Sequence, residues 1–255
     1  MRTKNKSNAG KIQNFEPIFR EELLSDMKSL HNDSLIKRLE RNEKILMRDN
    51  APYDSIFACE IISKGRDKII NNGYRVISLS ENVDLRLNSS PYSAVNTLGN
   101  FVLEALLYVP RIGQFLIRKN PVFLGSQFDS KEEHGKYENI SYTLTQEEAM
   151  KILQKEQSIK IKPKITSIPL TKLGEEELSI FSVGGGDEQR AKKYGEFLLD
   201  FKRTSLMFDV SEPRDPNVCS IKPLFFEGIY HWIPGWTKIV SFTYRDRISL
   251  IRGIK

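Results

Sequence analysis

The stretch from Ala94 to Val109 (AVNTLGNFVLEALLYV) limits the fold more than any other part of the chain. It is so rich in apolar side chains that water cannot be its neighbour on most sides. Ser90 stands where a helix cap would stand, and Pro91 suits the first helical position. Ala94, Val95, Leu98, Val102, Leu103, Leu106 and Leu107 recur at helical spacings, and Pro110 supplies a stop. An apolar face this broad exceeds what a solvated surface helix carries. The spacing therefore predicts a buried central helix over about 90–109, with the rest of the chain wrapped around it.

The chain is long enough to wrap it. At 255 residues it suits one large domain or two small ones, and a fold of that size buries roughly 70–75% of its unfolded surface. A hydrophobic fraction of 39% excludes disorder throughout. Cys59 and Cys219 are too few and too far apart for a disulfide framework. Residues 1–14 read as a flexible basic tail and 15–255 as a single domain, and the place to look for a sub-boundary is near 126–145.

Around the central helix the pattern divides. Residues 15–48 and 54–72 repeat at helical spacing. Tyr74–Ser80 and Val83–Leu87 alternate as strands, and Phe115–Ile117 with Val122–Leu124 suggest a hairpin across Asn120-Pro121. Ile140–Leu144 and Ile159–Ile165 read as strands. Thr145 and Glu148 form a capping box for a helix through Lys155. Residues 187–202 are helical, with Ala191, Tyr194, Phe197, Leu198 and Phe201 on one side, and three strands follow over 206–210, 224–233 and 236–251. The expected class is α+β: N-terminal helices and the central helix packed on antiparallel strands, with a β-rich C-terminal region.

Enzymatic chemistry finds few footholds. His31, His134 and His231 are the only histidines, and none shares a constellation with a nucleophile. Ser182-Val183-Gly184-Gly185-Gly186-Asp187 precedes a helix, yet an acid follows the glycines where a phosphate loop has Lys-Ser/Thr. It reads as a connector with Asp187 as the helix cap. Asp200-Phe201-Lys202 resembles the acid-x-Lys half of a metal-dependent nuclease site, for which Asp187 is a candidate partner. Against it, that pair belongs on one face of a strand, and residues 187–202 repeat as a helix. No cofactor or metal motif is present, so none is expected.

Charge carries the sharper signal. There are 39 Lys+Arg against 33 Asp+Glu, a net charge of +6, and the excess is unevenly spread. Arg2, Lys4, Lys6 and Lys11 stand in the tail without an acid, residues 129–156 lean acidic, and the C-terminus is basic again. In Ile159-Lys160-Ile161-Lys162-Pro163-Lys164-Ile165 the period of two sends Lys160, Lys162 and Lys164 to one face and the isoleucines to the other. Ammonium groups about 7 Å apart along a strand match phosphate spacing, although lysines and a proline also blunt a sheet edge. Phe242–Arg247 alternates likewise, with Arg245 and Arg247 opposite Phe242 and Tyr244, and Trp232 and Trp236 nearby.

The reading that follows is a non-enzymatic basic structural or assembly protein of matrix or nucleic-acid-packaging type. It would bind a polyanion, nucleic acid or an anionic membrane surface, through Arg2, Lys4, Lys6, Lys160, Lys162, Lys164, Arg245 and Arg247. Acidic middle against basic ends favours self-association. The alternatives are a metal-dependent nuclease using Asp187, Asp200 and Lys202, and a protein-interaction adaptor. The polar run after Met1-Arg2-Thr3-Lys4-Asn5-Lys6 and the lack of a long apolar segment predict a cytoplasmic or nuclear protein, neither secreted nor membrane-spanning.

Overall fold

The computed structural model describes residues 12–13, 75–89, 96, 99–126, 130–133, 137–162, 165–210, 213, 215–229, 235–240, 243–244, 250–251 and 253–254. The helices expected over 15–48 and 54–72, the tail with Arg2, Lys4 and Lys6, Lys164, Arg245, Arg247 and all three histidines lie outside these residues.

The long apolar segment is a strand, not a helix. β3 (Asn100–Val109) is buried along nearly its whole length. It pairs antiparallel with β4 (Gly113–Ile117) on one side and β10 (Cys219–Phe226) on the other. Both of its faces are covered. Phe101, Leu103, Ala105, Leu107 and Val109 share one cluster with Ala149, to which Met150, Ile152 and Leu153 of helix α2 (Gln146–Lys155) add. Val102 and Leu106 point the other way, into a cluster with Leu79 and Val83 of α1 (Leu79–Leu87) and Ala191, Tyr194 and Leu198 of α4 (Glu188–Asp200). A strand buried on both faces has no polar phase, so its apolar run also satisfies helical spacings.

Other segments change type for local reasons. Val83–Leu87, expected as a strand, belongs to α1, because Ser78 caps the helix and forms a reciprocal capping box with Glu81. Among the described residues of the preceding alternation, Arg75–Val76 (β2) alone is strand. The expected hairpin across Asn120 is replaced by the β3–β4 hairpin, and Pro121–Leu124 forms a 3-10 turn capped by Asn120. The capping box at Thr145 and the Asp187 cap of α4 stand as expected.

Two short strands complete the connection, β7 (Ser158–Ile161) and β8 (Ile165–Pro169), followed by the short helix α3 (Glu177–Phe181). With β9 (Arg203–Asp209) and β11 (Gly235–Val240) the sheet runs β7-β4-β3-β10-β11-β9-β8. It is mixed rather than antiparallel, because β11 runs parallel to β9. β5 (Ser130–Glu133) and β6 (Tyr137–Leu144) join on the far side of β10 from β3. β12 (Thr243–Tyr244) pairs with β6, and β13 (Leu250–Ile251) runs parallel to β3. β1 (Ile12–Gln13), β14 (Gly253–Ile254) and β2 form a separate small sheet. The chain is thus a mixed α and β structure.

The order of strands forces a curl. β7 and β8 end opposite sides of the path, yet only residues 162–164 join them. Four peptide steps reach about 14 Å at most, whereas six spacings of a flat sheet measure about 29 Å. The sheet therefore bends into a half-barrel. Its inner face carries Leu116, Leu224, Phe226, Leu206, Phe208, Ile168 and Ile239, and is filled by α1 and α4. Among the described residues no helix is long and apolar enough to cross a membrane.

Candidate functional site

The outer face of the half-barrel is only partly covered. Over β3, β4 and β10 it is packed by α2. Toward the two ends of the path it is open, and a group of exposed side chains stands at each end.

On β7 the alternation expected from the sequence holds. Ile159 and Ile161 pack against the inner core, whereas Ser158 and Lys160 are exposed. Among the described residues β7 pairs only with β4, at the end of the strand path. Lys160 lies opposite Phe115 in the register. Its stem crosses Gly113, where a Cβ would fall 2.8 Å from Cε, and its Nζ stands 6.0 Å from the centre of the Phe115 ring. Lys162 continues the period past the strand end and is exposed. The β3–β4 turn adds Arg111, exposed and held at φ 65°. None of Lys160, Lys162 and Arg111 is ion-paired with a described residue.

On the other end, three strands lay out a second open area. The registers set Ser167, Met207 and Lys238 in one row, and Pro169, Ser205 and Trp236 in the next. Their neighbours Ile168, Leu206, Phe208 and Ile239 face inward, so these rows face out. Trp236 is 52% exposed and Ile165, opposite Asp209, is 59% exposed. The Lys238 ammonium stands 5.7 Å from the centre of the Trp236 ring. Asp209 is half-buried; burial raises its pKa and the nearby Lys238 charge opposes that rise. Residue 162 is three peptide steps from Ile165, at most about 11 Å, so the Ile165 corner of the second area adjoins the lysine edge, with Trp236 level with Pro169, four residues along β8 and two strands across.

The nuclease constellation does not form. Asp187 caps the start of α4 and Asp200 is its last residue. Thirteen steps set them about 20 Å apart along the axis, too far to share one metal ion. Asp187 is also engaged, accepting from the Gln189 and Arg190 amides, which holds its carboxyl below the usual range. Lys202 follows the helix at φ 55°. Among the described residues no group of three or more His, Cys, Asp or Glu could hold a metal.

The triglycine turn is no phosphate cradle either. The amides of Gly184, Gly185 and Gly186 donate to the carbonyls of Ser179, Ser182 and Ile180. They close the end of α3 and have nothing left for a ligand.

A group that the sequence reading missed lies on the inner face. β3 bulges at Leu103 and Glu104: Val102 pairs with Leu224, and the next pair is Ala105 with Pro223. A proline lacks the amide that a regular ladder needs, which suits it to the bulge. The freed Leu103 amide donates to Ile77, and its carbonyl accepts from Asn120. Glu104 is 1% exposed and its Oε2 accepts from the Leu79 amide at 2.8 Å, at the start of α1. Burial pushes its pKa up to about 8, against the opposing pull of the Leu79 amide and of Arg118. The signal available beforehand was a single acid inside an apolar run, which must be paired, hydrogen-bonded or neutral.

No protein-family model matches the chain, and no curated protein does. A solved structure from work on how Nanoarchaeota accommodate massive sequence variation by the C-type lectin fold is similar at 11% identity, over 76% of this chain and 88% of that one, with a TM-score of 0.49.

Proposed function

We propose that the chain is a non-enzymatic binding protein that holds single-stranded nucleic acid along the outer surface of the half-barrel. The observation that carries this reading is the juxtaposition of an exposed cationic edge, Lys160 and Lys162, with an open sheet area presenting Trp236 beside Lys238. Ammonium groups supply attraction to the backbone phosphates without reading sequence. An exposed indole offers a stacking face to any base. The aromatic favours an unpaired strand over a duplex, whose bases are already stacked.

The Lys160 and Lys162 placement also blunts an edge that would otherwise template another strand, and binding adds to that role. The reading is tested by fluorescence anisotropy of a labelled oligothymidylate with the full chain at low salt. Charge reversal with Lys160→Glu and Lys162→Glu together is expected to weaken binding at least tenfold. Trp236→Ala is expected to cost about 1–3 kcal/mol, the usual worth of one base stacked on an aromatic. Undiminished binding by the charge-reversed protein, or none by the parent, overturns the proposal. Retention on phosphatidylserine vesicles with no oligonucleotide binding would also overturn it, in favour of a lipid surface.

A further inference from the structure

We propose that the chain has a second anion site, formed by Arg118, Arg190 and Ser80 around the glycine turn at 184–186, and that it takes a single phosphate group, free or as a monoester. It lies on the inner side of the half-barrel, beside the start of β7, where the Arg118 amide donates to the Gln157 carbonyl.

The turn is stripped of side chains where charge converges on it. Gly185 and Gly186 have φ of +64° and +93°. A Cβ at Gly185 would fall 2.7 Å from Ser80 Oγ and 3.1 Å from Arg190 Nη1. One at Gly186 would stand 3.7 Å from Arg118 Nη2. Two guanidinium groups and a hydroxyl thus approach the same pair of residues from three elements.

Arg118 is the central observation. It is half-buried, with Cζ 4.0 Å from the centre of the Phe181 ring, which fixes the guanidinium plane. Its guanidinium makes no hydrogen bond or ion pair with any described residue. The acids around it are each engaged. Asp84 accepts from Arg190 Nε at 2.9 Å. Glu81 is paired with Arg75 and with the Ser78 amide. Asp187 caps α4. Glu104, the buried neighbour, accepts from the Leu79 amide, and burial raises its pKa. Arg190 gives its Nη1 to the Gly184 carbonyl at 2.6 Å and leaves Nη2 without a described partner. Burial lowers the Arg118 pKa, Glu104 opposes that, and the positive charge of Arg190 lowers it further. An anion between the two guanidinium groups relieves both costs.

The donor set selects the ligand class. One planar fork satisfies a carboxylate, whereas the Arg118 fork, the remaining Arg190 nitrogen and a hydroxyl converging from different directions suit the several oxygens of a tetrahedral group. The turn's own amides are already spent on α3, so recognition rests on side chains.

The test is isothermal titration of the full chain at pH 7 with inorganic phosphate, methyl phosphate and acetate. Saturable binding of inorganic phosphate is expected, at least tenfold weaker in Arg118→Gln and unchanged in Lys151→Gln, whose lysine pairs with Glu147 on α2. Comparable binding of methyl phosphate identifies a monoester as an acceptable ligand, and its exclusion identifies the free ion. The Gly185 and Gly186 amide resonances should shift on titration. Should Arg118→Gln not fold, Arg118→Lys keeps the charge and loses the fork, and binding several-fold weaker is expected with an unchanged circular dichroism spectrum. No saturable heat with phosphate, acetate bound as tightly, or parent-like affinity in the folded Arg118 variants overturns the proposal.

Discussion

Glu104 shows how a single residue ties pH to the fold. Its carboxyl sits where burial disfavours the charge, so its folded pKa, about 8, lies above the ordinary 4.5. Between these values the folded chain holds a proton that the unfolded chain has released, and stability from this group falls as pH rises. The loss is complete above pH 8 and absent below pH 4.5, and its full size is on the order of 5 kcal/mol. Glu104→Gln should flatten the urea-midpoint profile over that window while leaving the slope of unfolding unchanged. A variant whose profile still falls as steeply would assign the pH dependence elsewhere. Arg86 makes the same point without titration. It is fully buried, with Nη1 on the Tyr194 hydroxyl at 2.9 Å, Nη2 on the Glu227 carbonyl at 2.7 Å and Cζ 3.7 Å from the centre of the Phe226 ring. Tyr194→Phe keeps the ring packing and strands one donor of a buried cation, so a loss of about 1–3 kcal/mol is expected in chemical denaturation. A neutral result would mean that another acceptor takes over.

At the scale of elements, packing overrules propensity in both directions. Gly195 stands mid-helix in α4, where alanine ordinarily gains about 1 kcal/mol. Here a Cβ would fall 2.4 Å from the Leu170 carbonyl oxygen. Gly195→Ala should therefore destabilise, by about 1–3 kcal/mol, and a raised melting temperature would show that α4 can shift outward. The same competition decides which elements were legible. α2 and α4 announce themselves because Thr145, Glu148 and Asp187 are local caps and one face of each helix stays wet. The Ser78 and Glu81 box was equally local but sat inside residues that also alternate. β3 was illegible as a strand because covering helices remove its polar phase. Ile159 and Ile161 gave β7 its faces correctly, because one side of an edge strand remains in water. Arg118 and Arg190 carry no local pattern at all. They meet only through tertiary structure, against a glycine turn whose sequence suggested a different use of its amides.

At the scale of the molecule, the three-residue link from β7 to β8 joins what the strand order sets furthest apart. The curl turns the isoleucines of β7 and Ile168 of β8 into one filled interior and leaves Lys160, Lys162, Trp236 and Lys238 outside. Three lysines and an exposed indole thereby stand on one curved surface. If a strand of nucleic acid follows that surface, its affinity must fall with salt in proportion to the phosphates neutralised, with a logarithmic slope of about −0.7 for each on single strands. Lys160→Gln and Lys162→Gln together should then make the slope shallower by about 1.4. Trp236→Ala should instead lower affinity nearly equally at every salt concentration, because stacking releases no counterions. The two variants separate charge from stacking in one titration series. Parallel lines for the lysine variant would mean that those ammonium groups never meet phosphate, and the curved surface would then serve as a guarded edge alone.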